Sequence, residues 1–413
     1  MKKYIILSYS ISGVGGGQMY QKNKLNYMKK RGYTVSAVYS IAGQIIINDL
    51  KQYENNLVEL LSINPMLISQ RLITEVIDNI IQLTGILNEE TIIETNNKIL
   101  SMWGEIIAKK YNCKNIIYII DEKIGSLDTI MIDFFEFKRS KNEIYGIKEE
   151  TYKMIFGSNC SEDYYQYILP LVCNNVIDDY EHPVINSFVR SEFNIGTIGR
   201  LEKAYIPTLI SEIKRFAKKH EDLSITFLMI GESPKNENID LIKRTFSNLD
   251  NVKVILTGAL FPIPLSLLKN LDVFVSSAGS ARVSASINKP TITIDARDYN
   301  SIGILNYDTN NTVFRTTEEK IPISEKLDFI FENDLYKKIN LKTYDKKVDD
   351  IELVFKIHFE SIQNIKKDKQ YYNFLSKKLS YKRKMEKIFL NIFGFNAYQK
   401  LRKYIFSRIS SKI

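Results

Sequence analysis

Asn194-Ile195-Gly196-Thr197-Ile198-Gly199-Arg200-Leu201-Glu202-Lys203 is the stretch on which the fold turns. It reads as a short apolar strand that breaks at Gly199. An arginine and a lysine follow, and residues 207–218 then carry apolar side chains at helical spacing behind Pro207. Proline suits a first helical turn, where its missing N–H costs nothing. A strand that ends in glycine and opens toward a helix is a cradle for anions. The helix start offers N–H groups and a partial positive charge. Arg200 can fork onto two phosphate oxygens, and Lys203 can add a point charge. The plainer reading is a βα turn with solvated charges.

Outward from this stretch, strand and helix patterns alternate. Residues 224–230 form an apolar strand ending in Gly231-Glu232-Ser233-Pro234, and 240–246 a helix. Residues 252–256 are a strand ending near Gly258. A short helix at 264–269 leads to a strand at 271–275 and then to Ser276-Ser277-Ala278-Gly279-Ser280-Ala281-Arg282. Lys289-Pro290 leads to a strand at 291–294, ending at Asp295. On one sheet these strand ends would converge along one crevice. The segment from Ser277 to Arg282 resembles a second anion cradle: small residues admit a ligand, Ser277 and Ser280 can donate, and Arg282 can pair with phosphate.

The first half opens with the same logic. Residues 4–8 are a continuous apolar run, the pattern of a parallel strand covered on both faces. Ser12-Gly13-Val14-Gly15-Gly16-Gly17-Gln18 follows, then a helix over 18–30 and a strand over 34–39. This βαβ opening is Rossmann-like, and Gly15 and Gly16 let backbone approach a ligand closely. Tyr39-Ser40 stands where a ribose-binding acid would end the second strand, which argues against a nicotinamide dinucleotide. Further strands are expected at 57–61, 91–94 and 115–120, with helices at 67–83, 98–110 and 144–156. Residues 168–172 read as a further strand or a helix start. The strand at 115–120 ends in Asp121-Glu122-Lys123. Carboxylates at the C-terminal edge of a parallel strand face the ligand side of such sheets. Glu122 is therefore the candidate general base or hydroxyl-orienting group, with Asp121 and Glu94 in reserve; solvated loop charge is the competing reading. Residues 178–183, acidic and ending in proline, read as a linker.

The 413 residues suffice for two or three domains, and 44% hydrophobic with 25% charged is ordinary for a globular chain. A net charge of +9 favours anionic partners. Cys113, Cys160 and Cys173 form neither a disulfide framework nor a zinc pattern, which points to a reducing compartment. His182, His220 and His358 are isolated in sequence, so no metal site is proposed. No apolar run reaches bilayer-spanning length, and the opening Met1-Lys2-Lys3 with its short apolar run reads as a buried strand rather than a signal peptide. The expected location is cytoplasmic. Beyond residue 376, basic residues from Lys377 to Arg408 interleave with aromatic and aliphatic ones. That is the composition of an interfacial helix on the inner face of a membrane, or of a basic helix resting on the protein itself. No RNA-binding module is recognisable.

Together these segments resemble a GT-B glycosyltransferase of the kind encoded with bacterial capsule and surface-polysaccharide pathways. The likeness rests on Gly-Arg-Leu-x-Lys at 199–203, Met-Ile-Gly-Glu-Ser at 229–233, Val-Ile-Leu-Thr-Gly at 254–258, Leu-Lys-Asn-Leu-Asp-Val-Phe-Val-Ser-Ser at 268–277 and Lys-Pro-Thr-Ile-Thr-Ile-Asp at 289–295. The resemblance implies two Rossmann-like domains facing a cleft. Residues 1–185 would form the acceptor-side domain and 186–345 the nucleotide-sugar domain. A return helix would span 346–375, and a basic amphipathic tail 376–413. It implies a nucleotide-sugar donor and a glycan acceptor, lipid-linked in such pathways, with no cofactor. Arg200 and Lys203 would hold the diphosphate, although Lys203 stands closer to Arg200 than the family spacing. Gly15, Gly16, Gly199, Gly231, Glu232, Gly258, Ser277, Gly279, Ser280 and Arg282 would line the donor. Two departures stand out. Residues 276–288 lack the paired glutamates of many retaining members, and Asp121-Glu122 replaces the acceptor-side histidine.

Transfer would load negative charge onto the departing diphosphate, and Arg200, Lys203, Arg282 and helix starts could stabilise it without a metal. No convincing Asp-x-Asp element ends a strand. The alternative is a catalytically silent GT-B subunit that scaffolds or activates a partner transferase, a reading the missing glutamates favour. A sugar-nucleotide epimerase is a third reading, and it would need more acid and base groups than these segments supply.

Overall fold

The computed structural model describes residues 2–120, 127–157, 162–233, 236–338, 350–365 and 368–410. It divides into two compact units. The first comprises Met1–Ser12, Lys24–Leu171 and Glu352–Ile413, and the second Gly13–Asn23 and Val172–Ile351. The boundary expected near residue 185 thus falls, by contact, at 171/172, and the glycine loop belongs with the second unit.

In the first unit the strands are β1 (Lys3–Ser8), β2 (Thr34–Tyr39), β3 (Ile92–Thr95), β4 (Lys114–Ile119) and β5 (Ile144–Gly146). They form one parallel sheet in the order β2-β1-β3-β4-β5. The covering helices are well specified by sequence. Ser69 starts helix Gln70–Thr84 by accepting from the Leu72 N–H at 3.3 Å, and Asn97 starts helix Lys98–Tyr111 by accepting from Leu100 at 2.9 Å. Asn112, at φ 53°, closes the latter in the left-handed region. Trp103, fully buried, donates its indole N–H to Ile63 O at 2.8 Å.

Three expectations are corrected here. Residues 144–156 are not one helix: Ile144–Gly146 pairs with β4, and the helix runs Glu149–Phe156. Residues 57–61 are not a strand. Val58 and Leu61, three apart, enter the same core, and Glu59–Ser62 is a 3₁₀ turn. The return helix stops at Gln363, after which the backbone is spent elsewhere: the Tyr372 N–H donates to the Glu105 carboxylate at 2.7 Å.

In the second unit, β6 (Ile177–Asp178) pairs with β10 (Ile263–Pro264) in a short parallel ladder. The main sheet contains β7 (Phe193–Ile198), β8 (Ile225–Ile230), β9 (Val252–Leu256), β11 (Val273–Ser276), β12 (Thr291–Ile294) and β13 (Ser301–Ile304). Its order is β13-β12-β11-β7-β8-β9, and every pair is parallel except β12 with β13. Side chains alternate between its faces. Phe193, Ile195, Phe227, Met229, Val273 and Val275 pack on one, and Ile198, Leu228, Ile230 and Phe274 on the other. The chain runs outward from β7 to β9, then returns to lay β11 on the opposite flank of β7. Buried Asp272 fixes that return by accepting from Asn194 N at 2.9 Å and Asn194 Nδ2 at 2.7 Å.

Candidate active site

In an open parallel sheet, ligands bind beyond the C-terminal ends of the strands, where the strand order reverses. In the second sheet the reversal lies between β7 and β11. The loop after β7 is Gly199–Lys203, and the loop after β11 opens helix Ala278–Ser286. The two sequence-derived anion cradles therefore flank one point.

The first cradle is held open by glycine. Gly231, at φ 152°, lies against Gly199, and a Cβ on it would stand 1.9 Å from the Gly199 carbonyl oxygen. The Gly199 N–H donates to Ile230 O at 2.9 Å, Leu201 N–H to Glu232 O at 3.0 Å, and Gly231 N–H to Gly258 O at 3.0 Å. Buried Leu201 anchors the turn in the core, so Arg200 projects from a fixed backbone. The Arg200 side chain is 55% exposed and pairs with Glu202 at 3.1 Å. Half-buried Lys203 sets its ammonium 5.6 Å from the centroid of the Tyr205 ring. Helix Ile206–Lys219 follows, with proline in its first turn as expected.

The second cradle starts at buried Ser277, which caps helix Ala278–Ser286 without bonding it through its side chain. Ser277 instead donates its hydroxyl to Thr312 O at 3.4 Å, and Ala278 N–H reaches the same oxygen at 2.8 Å. Gly279, Ser280 and Arg282 are half-buried along this helix start. Neither this helix nor Gly16–Lys30 nor Ile206–Lys219 carries an acidic residue in its first turn. All three starts remain favourable to an anion.

The glycine loop joins these elements. A Cβ on Gly15 would lie 3.8 Å from both Cδ and Nε of Arg200, so the guanidinium stem runs along the loop backbone. Gly13 faces Glu232 Oε1 at 3.7 Å by the same measure. A Cβ on Gly16 would lie 3.4 Å from Cys173 Sγ, and one on Gly279 would lie 3.1 Å from the same sulfur and 3.0 Å from Asn174 Oδ1. Cys173 and Asn174 thus sit between two helix starts. Sequence reading found neither, because no motif marks them and only the fold brings residue 173 beside 16 and 279.

Other expected residues fall differently. Gly258 follows β9, the edge strand, and accepts from the Gly231 N–H. Glu122 and Asp121 lie outside the described residues. Glu94 is 2% exposed and engaged by the Tyr4 hydroxyl and, at 3.7 Å, by Lys24. That makes it a structural carboxylate. Asp295, also buried, is held by Arg297 at 3.0 and 2.6 Å and by the Arg315 N–H at 2.7 Å. Burial raises its pKa, but these donors outweigh burial and hold it below the usual carboxylate range. His220 gathers with Asp328 and Glu332, but Lys219 already bridges both carboxylates at 2.8 and 3.2 Å.

No protein-family profile and no curated protein sequence matches the chain. Solved structures do. A glycosyltransferase from Rickettsia africae ESF-5 aligns over 88% of this chain and 94% of its own, at 15% identity and TM-score 0.56. HepE from Anabaena, solved with UDP and glucose, aligns over 89% and 96%, at 13% identity and TM-score 0.51. MnaA from S. aureus, solved with UDP, aligns over 90% and 100%, at 13% identity and TM-score 0.50. The fold is GT-B, built from two Rossmann-like domains.

Proposed function

We propose that the protein is a glycosyltransferase that binds a nucleotide-sugar at the reversal point of its second sheet and passes the sugar to a glycan acceptor. The acceptor is lipid-linked, and the pathway is bacterial surface-polysaccharide synthesis. The observation that carries the reading is the convergence of Arg200, the Gly15–Gly16 backbone and the start of helix Ala278–Ser286 within one unit. The UDP complexes of HepE and MnaA, which share the fold, support a nucleotide diphosphate there.

Breaking the glycosidic bond leaves negative charge on the diphosphate. Arg200 would receive it with two parallel N–H donors, and Lys203 in the same turn and Arg282 in helix Ala278–Ser286 would add positive charge. These residues would do the work that a cation does in Asp-x-Asp enzymes, which makes the reaction metal-independent. Glu122 is the proposed base for the acceptor hydroxyl, on sequence grounds alone. The test is calorimetric titration with UDP and a panel of UDP-sugars. Arg200→Ala should weaken the best ligand by roughly thirtyfold through loss of a charge-assisted pair. Its melting temperature should stay put, because the side chain is half in solvent. Unchanged affinity for every nucleotide tested would remove Arg200 from the site. Donor hydrolysis without acceptor separates an enzyme from a silent subunit.

A further inference from the structure

The tail carries the whole positive excess of the chain. Residues 376–413 hold eleven Lys and Arg against one Glu, while the remaining 375 residues hold 46 Lys and Arg against 47 Asp and Glu. The same segment exposes apolar side chains in a regular row. Ser380 starts its helix by accepting from the Arg383 N–H at 3.4 Å, and Gly394, at φ 77°, kinks it. One face is committed to the first unit. Leu390 and Tyr398 are buried in its core beside Phe389 and Phe395, and Lys387 donates to Met66 O at 3.2 Å. Arg383 is turned to Glu386 at 2.9 Å.

Among the described residues, the other face is exposed. Tyr381, Met385, Ile388 and Ile392 follow one another at helical spacing and are 80%, 49%, 49% and 67% exposed. Phe393, at 60%, is exposed beside the row on Phe389, 4.7 Å between ring centroids, and Leu375, at 44%, precedes it. Exposed Lys378, Lys382 and Lys384 flank it. Among the described residues no helix is long and apolar enough to cross a membrane. An apolar stripe bordered by lysines, on a helix whose opposite face is pinned to the protein, is the geometry of a surface laid into a lipid interface.

We propose that the Tyr381–Met385–Ile388–Ile392 stripe docks the protein onto a bilayer rich in anionic lipid. The apolar row would enter the headgroup boundary, and Lys378, Lys382 and Lys384 would meet lipid phosphates. A neutral apolar partner would not call for an elevenfold basic excess in this one segment, whereas an anionic surface gains from each positive charge. This inference is independent of the donor site and reads out separately from it.

The experiment is flotation of the full chain with phosphatidylcholine vesicles, with and without about one third phosphatidylglycerol. The wild type should float with anionic vesicles, remain behind with neutral ones, and detach as salt rises. Ile388→Ser with Ile392→Ser, and separately Lys382→Glu with Lys384→Glu, should each weaken partitioning by about tenfold or more. All four side chains are exposed, so melting curves should match the wild type. Wild-type-like flotation of the serine variant, or equal flotation with neutral vesicles, would overturn the proposal. So would absence of flotation combined with a concentration-dependent dimer that the serine variant abolishes, because the stripe would then belong to a second copy. UDP affinity is unaffected in every arm if the donor site is where it is proposed to be.

Discussion

Gly231 has no room for a side chain, because the Gly199 carbonyl occupies the place a Cβ would take. Gly231→Ala should therefore shift backbone at the root of the Arg200 turn and cost about 3 kcal/mol, through backbone strain and steric overlap together. Urea titration measures it, and a loss below about 1 kcal/mol would show that the turn yields freely. The residue scale also holds what sequence reading could not see. Arg200 and the glycines were candidates from sequence, since charge and missing side chains after a strand suit an anion. Cys173 is visible only as an unremarkable thiol, yet its sulfur lies against both Gly16 and Gly279. Glu94, attractive at a strand end, is consumed by Tyr4 and Lys24.

At the scale of elements, the return segment is tied to the helices and loops of the first unit by two buried polar clusters. Lys138, 1% exposed, bonds Glu105 at 2.9 Å and also Glu143, while Glu105 accepts from the Tyr372 N–H. Burial pulls the Lys138 pKa down, but the two carboxylates outweigh it and hold the ammonium charged. Lys138→Met would leave buried Glu105 and half-buried Glu143 without their cation and should cost about 3 kcal/mol by chemical denaturation. In the second cluster, helix Ile351–Gln363 places His358 with Nδ1 3.0 Å from the Lys24 ammonium and Nε2 2.7 Å from Pro170 O. Nδ1 must accept from the lysine, so Nε2 carries the proton and donates to the carbonyl. Burial first, and the Lys24 charge second, hold the ring neutral, well below its ordinary pKa of 6.5. A depressed folded pKa gives stability that is complete above 6.5 and falls as the pH drops below it, because the unfolded chain takes the proton first. Lys24, lowered to about 8 by burial, is protonated throughout this window and adds no slope. From pH 7.0 to 5.5 the wild type should lose about 1 kcal/mol more than His358→Gln. Equal losses would show that the ring does not resist protonation.

For the whole molecule, the tail is both ballast and charge. Cutting the chain after Leu375 removes eleven basic residues and one acidic one, which takes the net charge from +9 to −1. It also uncovers the core that Leu390 and Tyr398 fill. The shortened protein should pass a cation-exchange column at neutral pH that retains the full chain. It should also unfold at lower urea, each lost core side chain being worth about 2 kcal/mol. Retention of the shortened form would place the basic surface elsewhere.

The alternation of strands and helices was legible from residue 194 to residue 295, because strands buried on both faces must be apolar runs and helices must carry apolar stripes; β13 and helix Ile323–Glu332 beyond it were not read. The first half was legible less evenly: Ile144–Gly146 and Glu59–Ser62 were misread because pairing with β4 and packing against a distant core are not local properties. The sequence by itself determined the two cradles, since glycine, arginine and small hydroxyl residues after a strand carry their chemistry in their identities. Only the tertiary structure decided that the cradles are neighbours. Strand order is set by which edges pair across long stretches of chain, and here the return of β11 to the flank of β7 brought the ends of two distant strands side by side.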